Sequence, residues 1–480
     1  MRTPTLALAA CALVVGGCSL TRAERVRCEV DADCQQVFGV GFACRAEDGF
    51  CVDAPPFARC DRTFPTTLRG NPDEFGDAFV IGAIADESLS GHQARQRSVE
   101  LAAIEVEDEV EREGALMGRP VGVVFCTNEE NSDFDDLSID DASATIAQYL
   151  VEDIGVAAIV GPPSSDSTRR VFEVAEPEGV LVISPSATAP GLTDLEDPPS
   201  DDQPGLLWRT APPDSFQGRA IALDMQGRGV EAVGVIVERS DYGSGLVEVF
   251  TSHFVGEGRT AERFEFDAGS APQRNAAVNA AAADRFEEVL FVSSQTSDAS
   301  GFILFAESLA AYQDRGIFLT DSARNGDFLT GAENGRGLFP QIRGTFPAEP
   351  DSMTFMAFTG AYQAQFDDDA ALSSFTAHAY DAAWLVFIGA AWAVLQEDGA
   401  AGRALARGLR NVSSGDDIAL GPGALAPIAD AFQDGSSVDL EGASGDLDYS
   451  AEDEELRAPT QVWMINAAGD GFDTVATIDP

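Results

Sequence analysis

The chain has 480 residues, with 80 Asp+Glu against 30 Lys+Arg and a formal net charge of −50, and every one of its basic residues is Arg. That balance excludes a nucleic-acid partner, because neutralising phosphate needs a basic face, and it offers no polybasic surface to anionic lipid. A hydrophobic share of 45% with 30 Phe argues for packed cores over disorder, and the length fits two domains.

Residues 1–17 carry one charge (Arg2), an apolar run LALAACALVV and small residues, which reads as a secretory signal too short to span a membrane. The tetrapeptide VGGC ending at Cys18 resembles a bacterial lipobox, which implies cleavage before Cys18, its acylation, and a linker over 18–27. The competing reading is an ordinary signal with a chance Cys. Six cysteines follow, and an even set in an exported chain reads as three disulfides. Cys28, Cys34, Cys44 and Cys51 crowd into 24 residues, a stretch too short to bury a core and in need of staples. Their pairing stays open. Metal binding is the rival, but no His accompanies the cluster, and neither a metal nor another cofactor is expected. Cys60 and Cys126 are left for each other, which would tie a Cys-rich module at 28–60 to the main domain.

From residue 77 short apolar runs alternate with helical stretches. Strands are expected at 78–84, 121–125, 157–161 and 180–184, with helices at about 91–113, about 141–153 and from Ser164. This βαβα repetition gives a doubly wound parallel sheet with helices on both faces. The Asp-rich run at 133–141 lacks the Gly and terminal Glu of a calcium loop and reads as an acidic helix start. Pro and acids at 194–205 break the pattern. It restarts with a helix from Asp214, a strand at 232–237, a helix from Gly243, a strand at 288–293, a helix from Ala299 and a strand at 316–320. The apolar stretch 379–395 has only 17 residues and contains Asp381, so it is expected as a buried core helix.

Three segments, in order, resemble the type I periplasmic binding proteins, the branched-chain amino-acid binding and receptor ligand-binding family. They are AAIVGPPSSDSTRRVFEVAEPEGVLVISPSATAPGLT (157–193), WRTAPPDSFQGRAIA (208–222) and RSDYGSGLVEVF (239–250), with weaker landmarks at HAYDAAWLV (378–386) and GDLDY (445–449). The resemblance implies an α/β fold of two lobes joined by three crossovers and closing over a ligand. By position, lobe 1 would be 77–207 and 344–439, and lobe 2 would be 208–343 and 440–480.

Ligands of such sheets bind beyond the carboxyl ends of the strands, where helix N-termini present free N–H groups. GPPSSDST places Ser165 at such a start, where a carboxylate would meet N–H groups, a hydroxyl and the positive helix end; simple capping by Ser164 or Ser165 is the plainer role. By resemblance, Ser186 and Thr188 of SPSAT supply further hydroxyls, and Tyr242 forms the lobe 2 wall. An acid for the ligand ammonium falls near Asp321 or Ser322. Ser90 stands where the family often carries a bulky pocket residue, and a pocket aromatic is missing around Thr296. Both departures speak against a branched-chain ligand and suit a larger or more polar one. None of these positions is Arg, so carboxylate binding would rest on N–H groups and hydroxyls.

His92, His253 and His378 sit in no metal-ligand spacing, and GPPSSDST is not the Gly-x-Ser-x-Gly elbow of hydrolases, so an enzyme is not expected. The expected function is capture of a small carboxylate-bearing ligand, an amino acid or amide, by a lipid-anchored envelope protein. It would hand that ligand to an ABC-type permease and touch the membrane through its anchor alone. The alternative is an envelope lipoprotein using the same fold as a sensor or protein-interaction regulator.

Overall fold

The computed structural model describes residues 26–29, 31–53, 57–130, 135–196, 198–397 and 399–480. The expected signal segment, Cys18 and the linker up to residue 25 lie outside the described residues. The chain folds into a small cross-linked module followed by two α/β layers, each built on its own sheet.

In the module the helix Asp31–Phe38 packs on an antiparallel hairpin of β1 (Phe42–Arg45) and β2 (Phe50–Asp53). Disulfides Cys28–Cys44 and Cys34–Cys51 resolve the open pairing, and Cys60 is bonded to Cys126 across 66 positions. Three of these sulfurs lie within 4.8 Å of one another, but each is already in a disulfide. Its own buried core is little more than Cys34, Phe38 and Cys51, so the bonds substitute for hydrophobic burial. Gln35 Nε2 donates to the Ile154 carbonyl at 2.7 Å, which seats the module on the first lobe.

The first sheet runs β3 (Arg62–Phe64), β5 (Val121–Thr127), β4 (Phe79–Ala85), β6 (Ala158–Val160), β7 (Leu181–Ser184) and β8 (Leu207–Arg209), parallel except for the edge strand β3. Every residue of β5 is buried, the signature of a strand covered by helices on both faces. The helix expected at 141–153 is helical from Ile139 to Gln148 and continues as a wider turn to Ile154. Ser138 caps it and Asp140 and Asp141 occupy its first turn, so the Asp-rich run serves as a helix start.

The second sheet has the order β10 (Thr260–Phe266), β9 (Ala232–Glu238), β11 (Glu288–Val292), β12 (Gly316–Leu319), β13 (Ile342–Pro347), β17 (Thr460–Ile465) and β18 (Phe472–Ile478). The first five are parallel and the last two close the edge antiparallel. A third, small sheet of β14 (Asp416–Ala419), β15 (Val438–Gly442) and β16 (Gly445–Asp446) packs on the first lobe.

Two lobe boundaries differ from expectation. The crossing placed at 343/344 falls after Pro347, because β13 pairs along its length with β12 and β17 in the second sheet. The crossing placed at 439/440 falls after Leu456, because Leu440, Leu447 and Leu456 pack into the first core. Helix Thr376–Gln396 is long and apolar enough to cross a membrane by composition, yet it is a buried core helix here. Its Asp381 is satisfied by the Ala443 and Ser444 N–H groups at 2.8 and 2.7 Å and by the Ser444 hydroxyl at 2.6 Å.

Candidate ligand-binding cleft

The carboxyl ends of both parallel sheets deliver the candidate residues. Ser90 follows β4 and opens the helix Ser90–Glu113. Ser165 follows β6 by way of Gly161, whose φ of +93° and approach to the Ile84 carbonyl leave no room for a Cβ. Ser186 and Thr188 follow β7, Tyr242 follows β9, Thr296 follows β11 and Asp321 follows β12. Thr296 is the first residue of the helix Thr296–Glu307, which begins three residues earlier than expected.

Ser164, not Ser165, caps the helix Ser165–Ala175, accepting from Ser167 N at 3.3 Å. The Ser165 hydroxyl is freed from capping and accepts from Ala189 N at 3.1 Å, which pins the SPSAT loop to the helix start. In that loop Ser186 donates to the Pro163 carbonyl at 2.9 Å, and Thr188 donates to Asp214 Oδ2 at 3.0 Å.

Across the cleft Tyr242 donates to Asp321 Oδ1 at 2.5 Å, and Ser322 N donates to the same oxygen at 2.9 Å. Asp321, at 4% exposure, is therefore the acid that faces the cleft network, while the Ser322 hydroxyl turns back to the Ser293 carbonyl. Thr296 braces this turn, donating to the Ser322 carbonyl at 2.8 Å and accepting from Asn325 at 3.1 Å. Ser90 donates to Asp327, a contact between the two lobes at the cleft mouth. Asp241 joins the lobes further along, taking Arg169 Nε at 2.5 Å and donating its N–H to Asp166 at 3.1 Å.

Three cleft residues had escaped the sequence reading. Asp214 opens the helix Asp214–Gly227; it is 1% exposed, and its Oδ1 has no partner among the described residues. Gln217, one turn on, lies near enough to Asp321 to favour its charged form, and its Oε1 has no partner among the described residues. Arg95 adds a cation to these residues, none of the positions picked from the sequence being Arg. Its Nη1 donates to Ser186 Oγ at 3.3 Å and its Nε to the Ser374 carbonyl at 3.0 Å. Arg95 sits inside the polar run HQARQR, where nothing in the periodicity separates a cleft-facing Arg from a solvated one.

Burial sets the electrostatics. It pushes Asp214 well above the usual carboxylate range, with the neighbouring Asp321 charge adding to the rise. Asp321 is also raised by burial, opposed by the bond from Tyr242. Burial brings Arg95 down to about 10, and Asp321 opposes that change. Burial first, then Arg95, holds His378 down to about 3 and His92 well below its ordinary value, so both imidazoles are neutral. The result is a polar cleft with the Arg95 guanidinium on the lobe 1 side and two buried acids, Asp214 and Asp321, opposite.

Residues 108–454 match the receptor family ligand binding region. The chain is 26% identical over 375 residues to the chemotactic signal transduction system substrate-binding protein BasB of Halobacterium salinarum, covering 77% of this chain and 80% of that one. It is 31% identical over 143 residues to the leucine-, isoleucine-, valine-, threonine- and alanine-binding protein of Pseudomonas aeruginosa, a match covering 29% of this chain and 36% of the relative. Among solved structures it is similar to the substrate-binding protein LivJ of Streptococcus pneumoniae in complex with isoleucine, with a TM-score of 0.62, 23% identity, and 84% and 99% of the two chains covered. The leucine-binding protein LivK of Thermotoga maritima gives a TM-score of 0.64 at 17% identity, with the same coverage. At these identities the structural likeness speaks for the fold.

Proposed function

The chain belongs to the receptor ligand-binding family of type I periplasmic binding proteins, and from that premise we propose that it is a lipid-anchored, extracytoplasmic solute-binding protein for an amino-acid-like ligand. The observation that carries the reading is the opposed pair of walls at the strand ends. Hydroxyls and helix N–H groups around Ser165, Ser186 and Thr188 suit a carboxylate, while Asp321, Tyr242 and the unpartnered Asp214 Oδ1 suit an ammonium group. Ser90 and Thr296 are both polar, which argues for a polar ligand side chain. Lobe closure would bury the ligand, and the closed form would dock on an ABC-type permease. Thermal shift against the standard amino acids and a set of organic acids tests this. The reading expects stabilisation by at least one amino acid, lost in Asp321→Asn and reduced in Thr188→Ala; no shift from any compound would overturn it.

A second reading has its own support. The relative matched over most of its length is named for chemotactic signal transduction, and the cross-linked module seated on the first lobe is an added surface for a partner. Under this reading the closed form reports to a membrane receptor. A deletion strain that keeps ligand uptake but loses its response to the ligand would favour it over transport.

A further inference from the structure

In a −50 chain without Lys the carboxylate of a zwitterion can find a cationic partner inside the cleft only in an Arg. Buried arginines elsewhere are engaged by the protein itself: Arg209 and Arg274 meet Glu455 and Asp298, and Arg315 gives Nη1 and Nη2 to the Ala281 and Ala283 carbonyls. Arg95 keeps a donor free. Its hydrogen bonds go to a carbonyl and a hydroxyl, and among the described residues it has no carboxylate partner and no partner at Nη2.

Two further observations point to a ligand at this place. His378, 6% exposed and within electrostatic reach of Arg95, leaves Nδ1 without a partner among the described residues. Phe375, whose ring centroid lies 5.5 Å from the Arg95 guanidinium carbon, holds φ at +63° and ψ at 19°. A bulky residue in the left-handed region costs about 1–3 kcal/mol and is retained where surrounding structure demands it, commonly at ligand clamps. Arg95 thus stands beside Ser186, across from Asp321, with unspent donors.

Resting on the amino-acid reading above, we propose that Arg95 is the counter-ion for the ligand's carboxylate, so that the cleft selects zwitterions with a free carboxylate over the corresponding carboxamides, which carry no anionic group. The guanidinium presents a planar fork that a carboxylate matches with two parallel bonds, whereas a carboxamide offers one acceptor oxygen and turns its NH₂ donor toward a cation. Ser186, held by Arg95 and by the Pro163 carbonyl, becomes part of the same anion seat. The opposite end, at Asp214, Asp321 and Tyr242, takes the ammonium, so the charges of a zwitterion lie along the field already present across the cleft.

The test is calorimetric titration of the full chain with the standard amino acids, followed by the tightest binder and its own carboxamide against Arg95→Gln and Arg95→Lys, with thermal midpoints recorded for both variants. The expected result is a wild type that prefers the carboxylate, Arg95→Gln losing about 10–100-fold on the carboxylate and less than about threefold on the carboxamide, and Arg95→Lys, which keeps the charge but not the fork, falling between the two. Equal losses on both ligands in Arg95→Gln, or no loss on either, would overturn the proposal while leaving the amino-acid reading standing. Absence of binding by every amino acid to the wild type would overturn both.

Discussion

Replacing Arg209 by Leu should be among the most damaging single changes outside the apolar cores. Arg209 is 1% exposed and lies at the end of β8, where the chain first crosses between lobes. Its Nε donates to Glu455 Oε2 at 3.1 Å and its Nη2 to Glu455 Oε1 and to Thr193 at 2.7 Å. Nη1 donates to the Ala187 and Ala189 carbonyls at 3.3 and 2.9 Å, the backbone on either side of Thr188. One guanidinium therefore fixes the SPSAT loop to the segment from which the last crossing departs. Arg209→Leu would strand the Glu455 carboxylate, itself 7% exposed, and breaking a buried pair from one side costs about 3–5 kcal/mol. The Ala187 carbonyl is orphaned as well, while Ala189 keeps the Leu192 N–H at 3.1 Å, so a loss of about 4 kcal/mol is expected in urea unfolding followed by circular dichroism, against a typical total of about 5–15 kcal/mol. The double variant Arg209→Leu/Glu455→Leu removes the stranded charge and should recover about half of the loss. A single variant within about 1 kcal/mol of wild type, or a double variant no better than the single, would refute this account of the hinge.

Three other changes follow from the same geometry. Cys60→Ala/Cys126→Ala opens a loop spanning 66 positions while leaving the two module disulfides intact, and the chain-entropy account puts the loss at about 4 kcal/mol, read as a fall in urea midpoint without reductant. Gly161→Ala adds a Cβ 2.3 Å from the Ile84 carbonyl at a φ of +93°, so it should cost about 2–4 kcal/mol by the same measurement and weaken ligand response by displacing Ser165. Glu105 accepts from the buried Tyr380 hydroxyl, and burial raises its carboxyl to about 7 from 4.5. Between those values the folded state holds the proton more tightly than the unfolded chain, so this group's contribution falls as pH rises from about 4.5 to 7. Glu105→Gln should therefore raise the thermal midpoint at pH 8, with a gain of about 1–3 kcal/mol, and change little at pH 5.

The parallel halves were legible because their strands are apolar on both faces: AFVIGAI, VGVVF and EVLFVS needed no tertiary information to be read as covered strands. The strand β10 was not, because TAERFEF is an exposed edge with little apolar signal. Lobe boundaries failed for a related reason. β13 and β15 are short segments whose lobe is set by folding, through pairing with the distant β17 in one case and packing on the first core in the other. In the cleft, Ser165, Ser186, Thr188, Tyr242 and Asp321 stood out through motif resemblance at strand ends. Arg95 and Asp214 did not, since their environment comes from folding: an Arg beside Ser186 and an acid beside Thr188 are long-range facts, 91 and 26 positions apart. The disulfide pattern behaved the same way. Four closely spaced cysteines announce a stapled module, but only the hairpin register sets Cys44 opposite Cys51, so that each bonds outward to Cys28 or Cys34.

The central claim is that the two lobes hold an amino-acid-like ligand between the SPSAT loop and Asp321. Its most direct test is a crystal structure of the protein with the tightest-binding amino acid from the titration. The account predicts the ligand carboxylate beside Ser186 and Arg95 and its ammonium within hydrogen-bond distance of Asp321 or Asp214. A ligand seated elsewhere, such as the roughly 420 Å³ cavity lined by Arg228, Glu288 and Arg343 at the opposite end of the second sheet, would contradict it.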